Sequence, residues 1–354
     1  MCFLSFGCSS ELGQLSHFFD SLKRCGLALL KKMPKDSQYF NEQQTPPPPG
    51  HERLMIDQVH RSIPESVVNK IIGITEKKSD DTFYAMMSVR QCVYLFLFYL
   101  LSGASYVDME ALLDIPHSNI SRACTLMRSI LYRNLKKEIH FFPLKIRKLA
   151  NSKRTKAEWL KQCSLAVDSI DLPKSLTEKM KSRNRTYRRT RGKSKGDMWR
   201  SRKLKNHHHA LRYHFCCDFL YRIGYVSSYR PPIEYDSNGI IADQENFEKA
   251  IDKEDVILGD DHYRKVRRVI KKVGWIVPKR DSENSWNQKV DVKRNEEQCS
   301  ARKIIENELA QISNKFLVLS KPWTGSCHHH QQMVWVIAAI HNLIVDSQYP
   351  QLRQ

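Results

Sequence analysis

Apolar stretches of two lengths alternate along the chain, and their lengths sort them into strands and helices. Short buried-type runs at 165–167, 256–259 and 275–277, each followed by an acid or a proline, predict strands inside a core. Two of them end in an acid. Leu165-Ala166-Val167 leads into Asp168, with Asp171 three residues on, and Val256-Ile257-Leu258-Gly259 leads into Asp260. Residues 209–217 and 223–229 are aromatic and β-branched enough to pair as a hairpin through 218–222, and Pro231-Pro232 ends the pair.

Longer segments carry apolar residues at three- and four-residue steps and predict helices. Residues 89–101 form one, stopping at Gly103; 106–113 form a second and 116–132 a third. The break at 114–118 suits a turn with Pro116 at or near the first helical position, which is helix-turn-helix spacing. Ser118, Asn119 and Arg122 fall early on the exposed face of the last helix, where such modules touch DNA. The same spacing also suits a helical hairpin packed on the core. Further helices are predicted at 262–273, 300–316 and 333–345, with a polar loop over 281–298.

On the 300–316 helix, Ile305, Leu309, Ile312 and Phe316 form the apolar stripe that packs on a sheet. Glu306 borders that stripe on one side, beside Arg302, Ala310 and Ser313, and Glu308 borders the other. Periodicity leaves the choice between these two acids open. The small Ala310 and Ser313 leave room for a ligand next to Glu306.

Charge adds a partner. Fifty-eight Lys and Arg against 38 Asp and Glu give a net charge of +20 over 354 residues, which predicts a polyanionic partner. Nucleic acid fits better than membrane, since no lipidation motif is present and the longest apolar run, 92–101, is too short to span a bilayer. Twelve of the cations fall in the 25 positions 181–205, directly after the first strand-end acid, with Tyr187 and Trp199 interleaved. This segment is expected to be an exposed, mobile loop that carries phosphates to the acids, with Arg188, Arg189 and Arg191 as contacts, and it equally fits a nuclear-import signal. Ten cysteines occur without a CxxC pair, as expected of reduced thiols in an intracellular protein. The clusters His207–His209 and His328–His330 are expected to touch phosphate or a partner, because three consecutive residues of a strand cannot all face one ion. Residues 1–50 are expected to be a weakly ordered tail ending in the proline run 46–49, followed by a helical region over 51–140 and an acid-bearing domain over 160–346.

With Asp168 on a strand, Asp260 at a strand end and Glu306 on a helix, in that order, the chain resembles the DDE transposases, closest to the PIF/Harbinger family and related bacterial insertion-sequence transposases. The matching motifs are LAVDSID around Asp168, ILGDDHY around Asp260, and ARKIIENELAQISNKF around Glu306, over roughly residues 89–345. The resemblance selects Glu306 over Glu308. Departures are His262 before the second-motif tyrosine, Ser169-Ile170 after the first aspartate, and Ala310 in the third motif. The resemblance implies an α/β, ribonuclease H-like mixed five-stranded sheet flanked by helices, preceded by the helix-turn-helix region. It implies two Mg²⁺ ions, with Mn²⁺ as substitute, held by Asp168, Asp260 and Glu306 as catalytic residues, Asp168 bridging both. It further implies double-stranded DNA as substrate, cleavage followed by strand transfer, a homo-oligomer on DNA, a separate DNA-binding partner protein, and a nuclear location. The alternative function is that of a catalytically silent, transposase-derived DNA-binding protein.

Overall fold

The computed structural model describes residues 49–78, 87–191, 198–201, 203–204, 209–278 and 285–353, with side chains described outside 49–51, 188–191, 285–289 and 353. The chain opens with helices α1 (Pro49–Ser62), α2 (Glu65–Glu76), α3 (Val89–Ser102), α4 (Tyr106–Leu113), α5 (His117–Leu135) and α6 (Leu144–Arg154). Helix α3 is apolar all round, with eleven buried residues of 14, so it is the central rod of this layer. Capping boxes Ser88/Gln91 and Ser105/Asp108 start α3 and α4. Gly103 ends α3 in the left-handed conformation (φ 59°), and Asp114 does the same after α4 (φ 54°). Pro116 then opens α5, so the helices predicted from 89 to 132 are all present.

Then follow β1 (Leu165–Pro173), α7 (Glu178–Arg191), the hairpin β2 (Ala210–Asp218) and β3 (Ile223–Val226), α8 (Asp236–Ile241), α9 (Gln244–Ala250), β4 (Val256–Leu258), α10 (Arg264–Val269), β5 (Gly274–Ile276), α11 (Ser285–Lys315) and α12 (Cys327–Gln348). The strands form one mixed sheet in the order β3-β2-β1-β4-β5. The first three strands run antiparallel, while β4 and β5 run parallel to β1. This is the mixed five-stranded α/β sheet expected from the sequence, consistent with a ribonuclease H-like fold. Pairing of β1 with β4 covers only Leu165 and Ala166, so from Val167 onward that edge of β1 runs past the end of β4.

Side chains alternate across β1. Ala166 and Leu172 join a large apolar cluster that includes Val93, Leu131, Leu211, Ile305 and Ile337, so the N-terminal helices, one sheet face, α11 and α12 share a continuous core. Leu165 and Val167 join a smaller cluster on the opposite face with Ile240, Phe247, Tyr263 and Trp275.

Helix α1 opens at Pro49, where the missing N–H is an orphan in any helix; the rest of the expected tail, residues 1–48, lies outside the described residues. Three expectations are corrected. The polar loop is shorter than expected, since 285–298 are the first half of α11; no glycine or proline interrupts 285–315. The helix after Asp260 ends at Val269, because Ile270 turns into the core and the chain enters β5. The basic segment is no free loop: residues 178–191 form α7, and Trp199 is buried with its indole N–H donated to the Met180 carbonyl at 3.2 Å. One large apolar side chain thus ties the chain at Trp199 to α7.

Candidate active site

The carboxylate site forms where β1 outruns β4. Asp168 faces α11, and Arg302 on that helix donates from Nη1 to Asp168 Oδ2 at 3.1 Å and from Nη2 to Glu306 Oε1 at 2.5 Å. Asp168 Oδ1 accepts the Ser169 N–H at 2.7 Å. Gln298, Arg302 and Glu306 follow at four-residue steps and share one face of α11. Gln298, fully buried, donates to the Gly259 carbonyl at 2.7 Å and so fixes the residue before Asp260. The Gly259 N–H is held by the Ile276 carbonyl of β5 at 3.0 Å. Asp260 then caps the short turn Asp261–Tyr263, accepting the His262 N–H at 2.9 Å.

The electrostatics tie the groups together. Burial, and next the Asp168 charge, push the Asp260 carboxyl above its usual range, against the lowering influence of His262 and Arg302. Burial disfavours the Arg302 charge, but Asp168, Glu306 and Asp260 outweigh it and hold the guanidinium above its ordinary value. Arg302 Nε is buried with no hydrogen-bond partner among the described residues. Of the three acids named from the sequence, Asp168 and Glu306 therefore share one cation, and Asp260 lies near enough to feel the charges of Asp168 and Arg302. Among the described residues no three His, Cys, Asp or Glu side chains converge tightly enough by themselves to hold a metal ion, and the guanidinium stands between Asp168 and Glu306.

Glu308 takes the other side of the helix. Its side chain is fully buried, with Oε1 2.7 Å from Nε2 of His341 on α12. The next residue, Asn342, accepts the Ile223 N–H at 2.8 Å and donates to the Ile223 carbonyl at 2.7 Å, locking β3 onto α12.

On the opposite face of β1 lies a polar network. Arg212 donates to Asp171 at 2.6 and 3.0 Å and to Asp236 at 3.0 Å, and Asp236 accepts the Ser169 hydroxyl at 2.8 Å. His214 stands next to it, 3.1 Å from the Tyr263 hydroxyl.

Residues 184–342 match a family model described as DDE superfamily endonuclease. The match supports a DDE transposase-like family. No curated protein and no solved structure matches the chain. The matched span takes in Asp260 and Glu306 and begins after Asp168.

The remaining residues named from the sequence sit elsewhere. Ser118, Asn119 and Arg122 lie in the first two turns of α5, with Ser118 and Arg122 exposed and Asn119 half-buried. Arg188, Arg189 and Arg191 belong to the end of α7, and their side chains lie outside the described residues. Of the two histidine clusters, His207 and His208 lie outside the described residues. In the other, His330 is buried at the start of α12, 2.7 Å from the Tyr213 hydroxyl. Sequence reasoning gave no role to Arg302 or Gln298. Their signal was present in the four-residue spacing back from Glu306.

DDE superfamily endonucleases generally use divalent metals. Asp168, Asp260 and Glu306 carry hard carboxylate oxygens, the donor type such ions take, and Arg302 bonds two of these carboxylates in this structure. No helix among the described residues is long and apolar enough to cross a membrane.

Proposed function

We propose that this chain is a metal-dependent DNA endonuclease and strand-transfer protein of the PIF/Harbinger type. Asp168, Asp260 and Glu306 are its catalytic carboxylates, and they would hold Mg²⁺, with Mn²⁺ as substitute. The observation that supports the reading is the shared cation: Asp168 on β1 and Glu306 on α11 both bond Arg302, with Asp260 close enough to feel the Asp168 charge. Bound divalent ions supply activation of the attacking oxygen and stabilisation of the leaving oxygen in an in-line displacement at phosphorus. The chain's own part is to fix the oxygens. Gln298 and Ile276 hold Gly259, and hence Asp260, in place. Asp168 is set by a central strand and Glu306 by a long helix, and the Arg302 guanidinium that bridges them would have to give way before both carboxylates held an ion.

DNA would be contacted by Ser118, Asn119 and Arg122 on α5 and by Arg188, Arg189 and Arg191 on α7, the first group for sequence and the second for phosphate. A homo-oligomer on DNA and a separate DNA-binding partner protein belong to the same reading. The test is Asp168→Ala. It abolishes Mg²⁺- or Mn²⁺-dependent strand cleavage and leaves DNA binding largely intact; cleavage that survives the substitution rejects the assignment.

A further inference from the structure

The second acid of the first motif, Asp171, has no part in the carboxylate site, and Lys203 of the basic segment carries no assigned role. The structure joins them. Asp171 is fully buried, and besides its pair with Arg212 it accepts the Ser201 hydroxyl at 2.5 Å. The same Ser201 oxygen accepts the N–H groups of Lys203 at 3.0 Å and Leu204 at 3.2 Å. One buried carboxylate therefore fixes a tight turn in a segment whose charge alone would leave it in solvent. Trp199, buried two residues earlier, is the second anchor.

That turn aims Lys203 at β1. Its Nζ donates to the Ser169 hydroxyl at 2.8 Å and to the Ser169 carbonyl at 3.3 Å. Ser169 pairs with His214 of β2, whose own N–H and C=O both bond Ser227, at 2.9 Å each. Main-chain groups alternate direction along an antiparallel pair, so those of Ser169 point the other way, to the edge that β4 leaves uncovered. The Lys203 ammonium thus stands on Ser169 at the uncovered edge of β1, where the Ser169 N–H bonds Asp168 and the Ser169 hydroxyl bonds Asp236, whose carboxylate lies within reach of the Lys203 charge. It is an exposed residue with two acceptors for its three protons among the described residues.

We infer that Lys203 is a substrate-binding residue: its ammonium takes a backbone phosphate of the DNA strand entering the carboxylate site, and the Asp171–Ser201 hydrogen bond is the latch that positions it. This rests on the reading of the carboxylate site as a DNA-cleaving one. A phosphate is the ligand whose chemistry fits, because the group is an exposed point charge whose third proton has no acceptor among the described residues, beside a site proposed for phosphodiester chemistry.

The experiment measures binding of the full chain to duplexes of unrelated sequence over a range of salt concentrations, together with Mn²⁺ binding by calorimetry. Lys203→Gln reduces the steepness of the log–log salt dependence by about one and weakens binding about equally on every sequence, roughly three- to tenfold, with Mn²⁺ binding unchanged. Lys203→Arg retains both. Ser201→Ala, which keeps the ammonium and removes the latch, weakens binding in the same sense by a smaller factor. Unchanged affinity and slope in Lys203→Gln overturn the phosphate contact, and an unaffected Ser201→Ala overturns the latch. Asp168→Ala measured in parallel separates the two readings: surviving cleavage there rejects the catalytic assignment, while the Lys203 binding result is read independently of it.

Discussion

Arg302 and Asp168 face one another across 3.1 Å with both side chains largely withdrawn from solvent. A divalent ion taken up by Asp168 and Glu306 must displace that guanidinium, so Arg302 competes with the metal. An ion pair of about 1 kcal/mol corresponds to about fivefold in binding. Arg302→Gln is therefore expected to bind Mn²⁺ about fivefold more tightly, as followed by calorimetry or by the electron spin resonance of the free ion. Weaker binding in the variant would mean that Arg302 helps to organise the carboxylates for metal.

The two glutamates of α11 separate by experiment as they do by position. Glu306→Gln is expected to weaken Mn²⁺ binding while leaving the urea midpoint nearly unchanged, since surface changes are worth about 0.5 kcal/mol or less. Glu308→Ala strips a fully buried carboxylate from His341. It should cost about 3 kcal/mol of stability, and a midpoint equal to wild type would show that the buried pair contributes nothing.

Gly239 is a position where no side chain fits. A Cβ there would lie 2.0 Å from His214 Nε2, and that ring is held by Tyr263 beside Asp260. Gly239→Ala should destabilise the fold by about 1–3 kcal/mol through overpacking. Chemical denaturation measures it, and an unaltered midpoint would mean that α8 shifts freely.

Two buried histidines set an acid limit. Burial pushes His214 down to about 4 and His330 to about 3. Both values lie below the ordinary histidine value near 6.5, so the unfolded chain takes up these protons first. Their contribution is fully present above about pH 6.5 and is lost as pH falls towards 4 and 3. Asp218 works in the opposite sense, since burial raises it to about 6, so the decisive quantity is a difference between proteins. His330→Gln, which can still bond Tyr213, should lose less thermal stability between pH 7 and pH 4 than wild type does. Parallel curves would refute the assignment to His330.

Much of this architecture was legible in the sequence because its signals are local. Buried-type runs ending in Asp168 and Asp260, and the stripe Ile305, Leu309, Ile312 and Phe316, mark their elements without reference to anything distant. Helix α7 and the helical start of α11 were missed for the converse reason. Their residues are polar, so periodicity is weak, and what anchors them is a contact from outside the helix: Trp199 buried beyond the end of α7, or Trp159 donating to Glu297 at 2.7 Å. The choice of Glu306 over Glu308 was open to periodicity because both flank the stripe; in the folded chain Glu308 is set by His341 of α12, which no local pattern reveals.

The unbroken core that runs from Val93 and Leu131 through Leu211 to Ile337 bears on how such a chain can evolve. Recombination that swapped the first half for a foreign one would bare the apolar faces of α11, α12 and the sheet, so exchange of either half alone would leave an unpaired apolar surface in water.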